Sequence, residues 1–531
     1  MTGPSDWTLA RTSAAHARER GTRTAILCEG RETSYAELHR NSNRAAHALR
    51  AAGAEPGTRV AYLGRESEDY YTIALGCAKS GAVLVPVNWR LTSEEVDHIL
   101  RDSGAAVLFV DSEYAPVVER VREGLPGLRQ VVLVDMPDGP GPDEPGAGLR
   151  RWWSTAPATD PEPPASGPED AVVQIYTSGT TGWPKGAVLA QRSFFVLPAA
   201  SAEAGVDWID WLPDDVSLIS LPGFGIAGFA WFMHGFNAGA TNVVMRAFIP
   251  QEAVRLIAQH GVTTTYAAPA QLQMMLSERT ATPEAFASLR QVAYGGAPIS
   301  EPLLARCIEV LGCELAQIYA STETGTVVVC LPPEAHVSGS PRLRSAGRAC
   351  PGAEVKIIDA DGRPVPTGST GQVCVRTPAR MLGYWNLPEA TAGTLVDGWL
   401  LMGDAGYLDE DGYLYLCDRI NDTIIVAGQN VYPSEVERAL AGHPAVADSA
   451  VVGLPHETWG EAVHACVVFR PDTRATPREL LLHLRERVAD YKIPVGFHPV
   501  EVLARNPAGK ILRREVREQL RAATREPTAA P

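Results

Sequence analysis

Over roughly the first 110 residues, apolar positions switch between a helical and a strand period. SYAELHRNSNRAAHALRAAG (34–53) repeats apolar residues at helical spacing and stops on Gly53. RVAYLG (59–64) reads as a strand, DYYTIALGCAKSGAV (69–83) as a helix and LVPVNW (84–89) as a strand. SEEVDHILRDSG (93–104) is again a helix and AAVLFVD (105–111) a strand. Alternation of this kind predicts a parallel sheet with helices on its faces. From Met136 to Asp170 Pro, Gly and acidic residues dominate, which predicts surface loop. AVVQI (171–175) then reads as a short buried strand. After Ala346 the pattern turns to short β runs, EVKIID, DGRPV, GQVCVR and DGYLYL, as in a β-rich subdomain. Past Asp422, SEVERALAGHP, VADSAVVGLP, HACVVFRP and PRELLLHLRERV predict a small α+β domain of roughly 110 residues. The closing TREPTAAP reads as an unstructured tail.

Composition narrows the class. A chain of 531 residues exceeds one core, so about two to four domains are expected. A net charge of −15 argues against nucleic acid as the main partner. The nine cysteines form no C-x-x-C pair and are odd in number, which fits a reduced, cytoplasmic protein rather than a zinc or disulfide scaffold. The N-terminal stretch lacks the apolar region of a signal peptide. Between Asp215 and Arg246 no formal charge occurs, a length that could cross a bilayer. Pro222, His234, several glycines and two asparagines favour a buried strand–loop–helix there, and no membrane span is expected.

Candidate chemistry begins with YTSGTTGWPKGA (176–187). A strand feeding a glycine- and hydroxyl-rich loop can cradle phosphate, with N–H groups, hydroxyls and an ammonium converging on oxygens. It is not a P-loop, since the residue five after Gly179 is Pro184 and Lys185 is followed by Gly186. By itself it is a nucleotide loop of another kind or a flexible turn. GFGIAG (223–228) matches G-x-G-x-x-G, yet no acidic residue lies between Gly228 and Glu252 to take a ribose, so a dinucleotide site is not expected. YGGAP (294–298) and YASTETG (319–325) each follow an apolar run, as loops at strand ends do. Their glycines let a flat ring lie against backbone, Tyr319 can cover it, and Thr322 with Glu323 suits Mg²⁺ beside phosphates. Asp404 lies between Gly403 and Ala405, Arg419 precedes the inferred domain boundary, and Lys510 follows a Pro-Ala-Gly turn.

Taken in order and spacing, YTSGTTGWPKG, YASTE, Gly403-Asp404, DRINDTI and NPAGKILRR resemble the adenylate-forming superfamily of acyl-CoA synthetases, peptide-synthetase adenylation domains and luciferases. The likeness runs from about Ser34 to Arg514, and GQNVYPSEVE with WGEAVHACVV is most similar to the acyl-CoA synthetase branch. It implies an α/β fold: a large N-terminal AMP-binding domain (1–420) of parallel sheets with packed helices and a β-rich subdomain, then a small mobile α+β C-terminal domain (421–531). It implies that a carboxylate attacks the α-phosphate of ATP, and that a thiol, usually coenzyme A, then displaces AMP.

Carried over residue by residue, Thr177, Ser178, Gly179, Thr180, Thr181, Gly182 and Lys185 grip the phosphates. Gly296, Ala297 and Pro298 line the adenine slot, with Tyr319 stacking. Glu323 holds Mg²⁺ assisted by Thr322, Asp404 and Arg419 meet the ribose, and Lys510 contacts the α-phosphate and the acid. FGIAGFAWF, TYAAPAQL and AYGGAP would wall the acid pocket, with Phe224, Gly225, Gly295 and Gly296 closest.

Three positions depart from the family pattern. Gly225 stands where a His is usual, Asn421 occupies the hinge usually held by Asp or Lys, and Trp183 sits at the loop tip. The first reading is a carboxylate–CoA ligase acting on an aliphatic or aromatic acid. Others keep the adenylation but change the acceptor, to a carrier protein, an amine or water, or change the acid to nitrite. A luciferase-type oxidoreductase and a catalytically dead binding protein stand further off. The resemblance admits a homodimer.

Overall fold

The computed structural model describes residues 6–135, 147–162, 166–177, 183–426, 429–505 and 511–525. Packing divides the chain into two compact units, Met1–Val355 with Val375–Leu401, and Lys356–Cys374 with Met402–Pro531.

The first unit is built on two mixed sheets. One has eight strands in the order Gly383–Tyr384, Lys185–Ala190, Ala171–Thr177, Val83–Val87, Arg59–Leu63, Val107–Val110, Gln130–Leu133, Ala147–Gly148. The other has nine, in the order Arg348–Ala349, Val329–Leu331, Glu314–Tyr319, Gln291–Gly295, Thr264–Ala267, Val216–Ile219, Thr241–Val244, Thr24–Cys28, Arg31–Ser34. Inner neighbours run parallel and several edge pairs antiparallel. Strands buried on both faces, such as Val83–Val87, are continuous apolar runs, as expected where helices cover a parallel sheet. Local signals fix the intervening helices. Ser67 caps Glu68–Ser80, which ends on Gly81 at φ +84°, and Thr92 forms a capping box with Glu95 at the start of Ser93–Ser103.

The uncharged stretch folds as strand Val216–Ile219, helix Ile226–Ala238 and strand Thr241–Val244. Among the described residues no helix is long and apolar enough to cross a membrane.

Two sequence expectations need correction. Of the stretch 136–170 expected as surface loop, residues 136–146 and 163–165 lie outside the described residues, and the rest is not simply loop: Ala147–Gly148 extends a sheet, and Leu149, Trp152 and Trp153 are buried. The segment beyond is strapped along one face of the helix Tyr35–Ala51. Asn43 Nδ2 donates to Ala158 O (2.9 Å), His47 Nε2 to Thr159 O (3.0 Å) and Arg50 Nη1 to Glu162 O (3.3 Å). The Pro- and acid-rich surroundings hid this small apolar cluster. The closing stretch starts as helix, because Arg513–Arg525 takes in Thr524 and Arg525 and is held by buried Val516 and Leu520; residues 526–531 lie outside the described residues.

In the second unit, Trp399–Leu408, most of which belongs to it, pairs antiparallel with Leu414–Arg419. A five-stranded sheet follows, Gln429–Val431, Ile424–Val426, Gly460–Phe469 and Val446–His456 in order, with Gly496–Pro499 added parallel to Gly460–Phe469. The helices Pro433–Ala441 and Pro477–Arg485 bury Val436, Leu440, Leu480 and Leu484 in its core.

Candidate active site

The glycine- and hydroxyl-rich stretch connects two paired strands. Ala171–Thr177 pairs antiparallel with Lys185–Ala190, and Thr177 stands opposite Lys185. Ser178, Gly179, Thr180, Thr181 and Gly182 lie outside the described residues. Just after them Trp183, half-exposed, stacks on His98 with centroids 4.7 Å apart, and His98 Nε2 donates to Pro184 O (3.2 Å). The C-terminal arm of the loop is thereby tied to the helix Ser93–Ser103.

Lys185 and Glu323, far apart in sequence, meet the same tyrosine. The short strand Gly383–Tyr384 pairs with Lys185–Ala190, fixed by Leu382 N–H to Val188 O and Trp385 N–H to Gly186 O, both 2.8 Å. The Lys185 ammonium lies 4.4 Å from the centre of the Tyr384 ring, a cation–π geometry. The Tyr384 hydroxyl donates to Glu323 Oε1 at 2.6 Å, and Met381 N–H donates to Glu323 O at 2.8 Å. Burial first, and then the Glu323 carboxylate, push the Tyr384 phenol up, so it stays a protonated donor.

Glu323 itself sits in the 3₁₀ turn Thr322–Thr324. Ser321 N–H donates to Thr324 Oγ1 (3.1 Å), and Thr324 Oγ1 donates to Thr326 O (2.7 Å). Gly325 closes the turn at φ +74°, and any Cβ there would collide with Ala379 O. Glu323 Oε2 has no partner among the described residues. One anchored and one unengaged carboxylate oxygen fit a hard cation that keeps waters and substrate phosphates as its other ligands.

The neighbouring parallel strands Gln291–Gly295 and Glu314–Tyr319 end side by side, as expected, with Gly296 at φ +79° and Tyr319 half-buried. Ala297 and Pro298 follow at the surface of the same strand end. A Cβ on Gly295 would strike Ile318 O, so the sheet demands glycine there.

The GFGIAG glycines also answer to packing. A Cβ on Gly223 would come within 2.8 Å of the Tyr70 ring, and one on Gly228 would hit Leu221 O. Gly225 differs, since its nearest neighbour would be Pro222 O at 3.7 Å. This loop, which carries Phe224, is held from both sides. Gly223 N–H donates to Glu66 Oε1 (2.7 Å), and the Tyr70 hydroxyl donates to Gly223 O (2.7 Å). Burial pushes the Glu66 carboxyl up to about 7, against the pull of N–H donors that include Gly223 and Phe224.

In the second unit Asp404 stands opposite Arg419 in the ladder. The side chains of Arg419 and Asn421 are not described, and Lys510 lies outside the described residues. Three residues past Lys510, Arg513 gathers an acidic cluster: Nη2 reaches Glu437 Oε2 at 2.7 Å, and Nη1 lies 3.6 Å from Asp418 and 3.7 Å from Asp422. Ser434 N–H donates to the other Asp418 oxygen at 2.6 Å.

The model of the AMP-binding enzyme matches residues 13–385, and that of the AMP-binding enzyme C-terminal domain matches residues 435–510. The chain belongs to the AMP-binding enzyme family. Within this adenylate-forming family it is 52% identical over 512 residues, 96% of each chain, to the fatty acid–[acyl-carrier-protein] ligase ScoC of Streptomyces coeruleorubidus. It is also similar to the anthranilate CoA ligase AuaEII in complex with anthranoyl-AMP, with TM-score 0.87, 27% identity and coverage of 98% and 99% of the two chains. ATP-bound MatB from Rhodopseudomonas palustris matches with the same TM-score, identity and coverage. The family resemblance read from the motifs therefore holds, and the chain is an adenylate-forming acid ligase that uses ATP.

The side chains that anchor Glu323, the Gly223 loop, Pro184 and Glu437 carry no signal in the sequence motifs. Tyr384, Glu66, His98 and Arg513 act from 61, 157, 86 and 76 residues away from Glu323, Gly223, Pro184 and Glu437. Only the fold brings such pairs together.

Proposed function

We propose that this enzyme activates a carboxylic acid as its acyl-adenylate and passes the acyl group to the phosphopantetheine thiol of an acyl carrier protein. The adenylation half is carried by one arrangement, Lys185 and Glu323 both held by Tyr384. The carrier acceptor is supported by the 52% identity to a carrier-protein ligase over nearly the whole chain. Coenzyme A, the first sequence reading, is the second candidate, favoured by the likeness to a CoA ligase at 27% identity.

In the first step a carboxylate oxygen of the acid attacks the α-phosphorus, and the bond to pyrophosphate breaks. Negative charge grows on the non-bridging oxygens and the departing group, where preorganised donors count most. Thr177 to Gly182 and Lys185 hold the β- and γ-phosphates. Gly296, Ala297, Pro298 and Tyr319 take the adenine, and Asp404 with Arg419 takes the ribose. Glu323, with Thr322 beside it, would hold Mg²⁺, which when bound neutralises phosphate charge. Tyr384 keeps the Glu323 carboxylate aimed and gives the Lys185 ammonium a polarisable face to lie on. Lys510 contacts the α-phosphate and the acid. In the second step the thiol loses its proton and attacks the acyl carbon, and AMP leaves. A swing of the domain from residue 421 onward about Asn421 would separate the two steps. All nine cysteines are unpaired, which supports a reducing compartment.

The test of the acceptor is direct. Enzyme, ATP, Mg²⁺ and a fatty acid are incubated with a holo carrier protein or with coenzyme A, and acyl products are read by mass spectrometry. Acyl transfer to the carrier at higher kcat/KM than to coenzyme A is the expected result. Preference for coenzyme A would move the enzyme to the CoA-ligase branch.

A further inference from the structure

We propose that Tyr266 determines substrate choice in the acid pocket: its hydroxyl hydrogen-bonds a polar atom of the acid. The preferred substrate therefore carries an oxygen or nitrogen substituent along its chain rather than hydrocarbon alone. The inference rests on the acyl-adenylate reading above and names the class of acid that the same site takes.

Tyr266 lies on the strand Thr264–Ala267, opposite Ala293 of the strand that ends in Gly295. Its ring is anchored against Trp231, with centroids 5.6 Å apart, and Trp231 in turn meets Trp211 at 4.7 Å. Trp231 is itself fixed, because Nε1 donates to Ser217 Oγ at 3.1 Å. The ring therefore has one orientation, and that orientation sends the hydroxyl to the Gly295–Gly296 backbone. The oxygen is 3.2 Å from where a Cβ of Gly295 would stand and 4.0 Å from that of Gly296. These two glycines, at the end of their strand, border the acid and adenine side of the proposed site.

Tyr266 is 8% exposed, yet its hydroxyl has no hydrogen-bond partner among the described residues. Other buried tyrosines of this unit are satisfied. Tyr35 donates to Ala240 O (2.7 Å), Tyr62 to Arg65 O (3.1 Å), Tyr70 to Gly223 O (2.7 Å) and Tyr294 to Gln317 Oε1 (3.3 Å). Tyr71 is unpartnered too, but it is fully sealed beneath a stacked Phe232 and no ligand can reach it. Tyr266 alone of these combines an unpaired hydroxyl with residual exposure beside the candidate pocket.

The hydroxyl keeps access to solvent, and an acid that displaces water from it without pairing leaves a polar group unsatisfied, so the site discriminates strongly against a substrate that cannot pair with it. A plain hydrocarbon acid would leave the phenol dry and unpaired. An acid with a hydroxyl, keto or amino group at the right carbon would complete it.

The experiment uses the full-length enzyme and acid-dependent ATP–pyrophosphate exchange. The probes are a straight-chain acid and its hydroxy, keto and amino analogues substituted at successive carbons, each assayed with wild type and with Tyr266→Phe. The account expects at least one substituted acid to exceed the plain acid by about tenfold or more in kcat/KM. Tyr266→Phe should bring that ratio close to one, through KM for the substituted acid. A wild type indifferent to every substituent overturns the proposal. Tyr266→Phe lowering all acids alike overturns it too, since the hydroxyl would then serve the common carboxyl. Exchange with no acid at all overturns the adenylation reading and this inference together, whereas exchange without the Tyr266 effect overturns this inference alone.

Discussion

The Tyr384 hydroxyl donates to Glu323 Oε1 at 2.6 Å, while the opposite face of its function, the ring, carries the Lys185 ammonium 4.4 Å from its centre. One side chain thereby sets the spacing between the cation proposed to meet phosphate and the carboxylate proposed to meet Mg²⁺. Tyr384→Phe keeps the ring and removes the hydroxyl. Groups that orient a metal ligand are worth roughly 10–100-fold in affinity or activity. Adenylation should fall by about that factor, with the apparent Mg²⁺ requirement raised and the acid KM little changed. A Mg²⁺ titration of pyrophosphate release reads this directly, and an unchanged Mg²⁺ dependence would remove Tyr384 from the site.

Lys510 and Asn421 should separate the half-reactions. Loss of one preorganised donor typically costs about 10²–10³ in rate, so Lys510→Ala should impair adenylation by that much. Thiolysis of supplied acyl-adenylate should be spared. Asn421→Pro should do the reverse, slowing thiolation at unchanged adenylation, because proline fixes the φ that a hinge must vary. Single-turnover assays of each half-reaction check both, and equal loss of the two steps in either variant would refute its role.

Glu66 gives the fold a pH dependence of known sign. Its carboxyl titrates near 7 in the folded protein against 4.5 otherwise, chiefly because it is buried. The folded state thus binds the proton more tightly. This contribution is fully present below about 4.5 and is lost as pH rises through about 7. Glu66→Gln keeps an acceptor for Gly223 N–H and removes the titration. The stability of Glu66→Gln relative to wild type should therefore be greater at pH 8 than at pH 5, by on the order of 3 kcal/mol at most. Urea unfolding of both proteins at the two pH values measures it, and a pH-independent difference would contradict the assignment.

Gly225 is a glycine the backbone does not require. Its φ of −110° suits any residue, and an added Cβ would meet nothing nearer than Pro222 O at 3.7 Å. Gly225→His should fold with stability within about 0.5 kcal/mol of wild type. It should also narrow the range of acids accepted, since the ring would fill space beside Phe224. A thermal melt with an acid panel tests both parts, and an unchanged acid range would place Gly225 outside the pocket.

The parts of this architecture that follow a local rule were readable from the sequence. Gly53, Gly81 and Gly104 end or follow helices as helix stops do, and the apolar run 84–87 is a strand buried on both faces. The strand-end loops at Gly296 and Tyr319 were legible for the same reason. What escaped depends on contacts distant in sequence. Glu66 looks like any surface acid until burial and Gly223 are seen together. Trp183 was unexplained until its stack on His98 was visible. Trp152 and Trp153 were lost in a stretch whose Pro and acidic content resembles a loop, because composition averages over the few residues that pack.

The most direct test of the central claim is pyrophosphate release from ATP and Mg²⁺ across a panel of carboxylic acids, with nitrite as a further candidate. The account predicts release that depends on a carboxylic acid, with the acyl-adenylate recoverable when no thiol is supplied. Release independent of any carboxylic acid, or acid consumption without pyrophosphate, would contradict it.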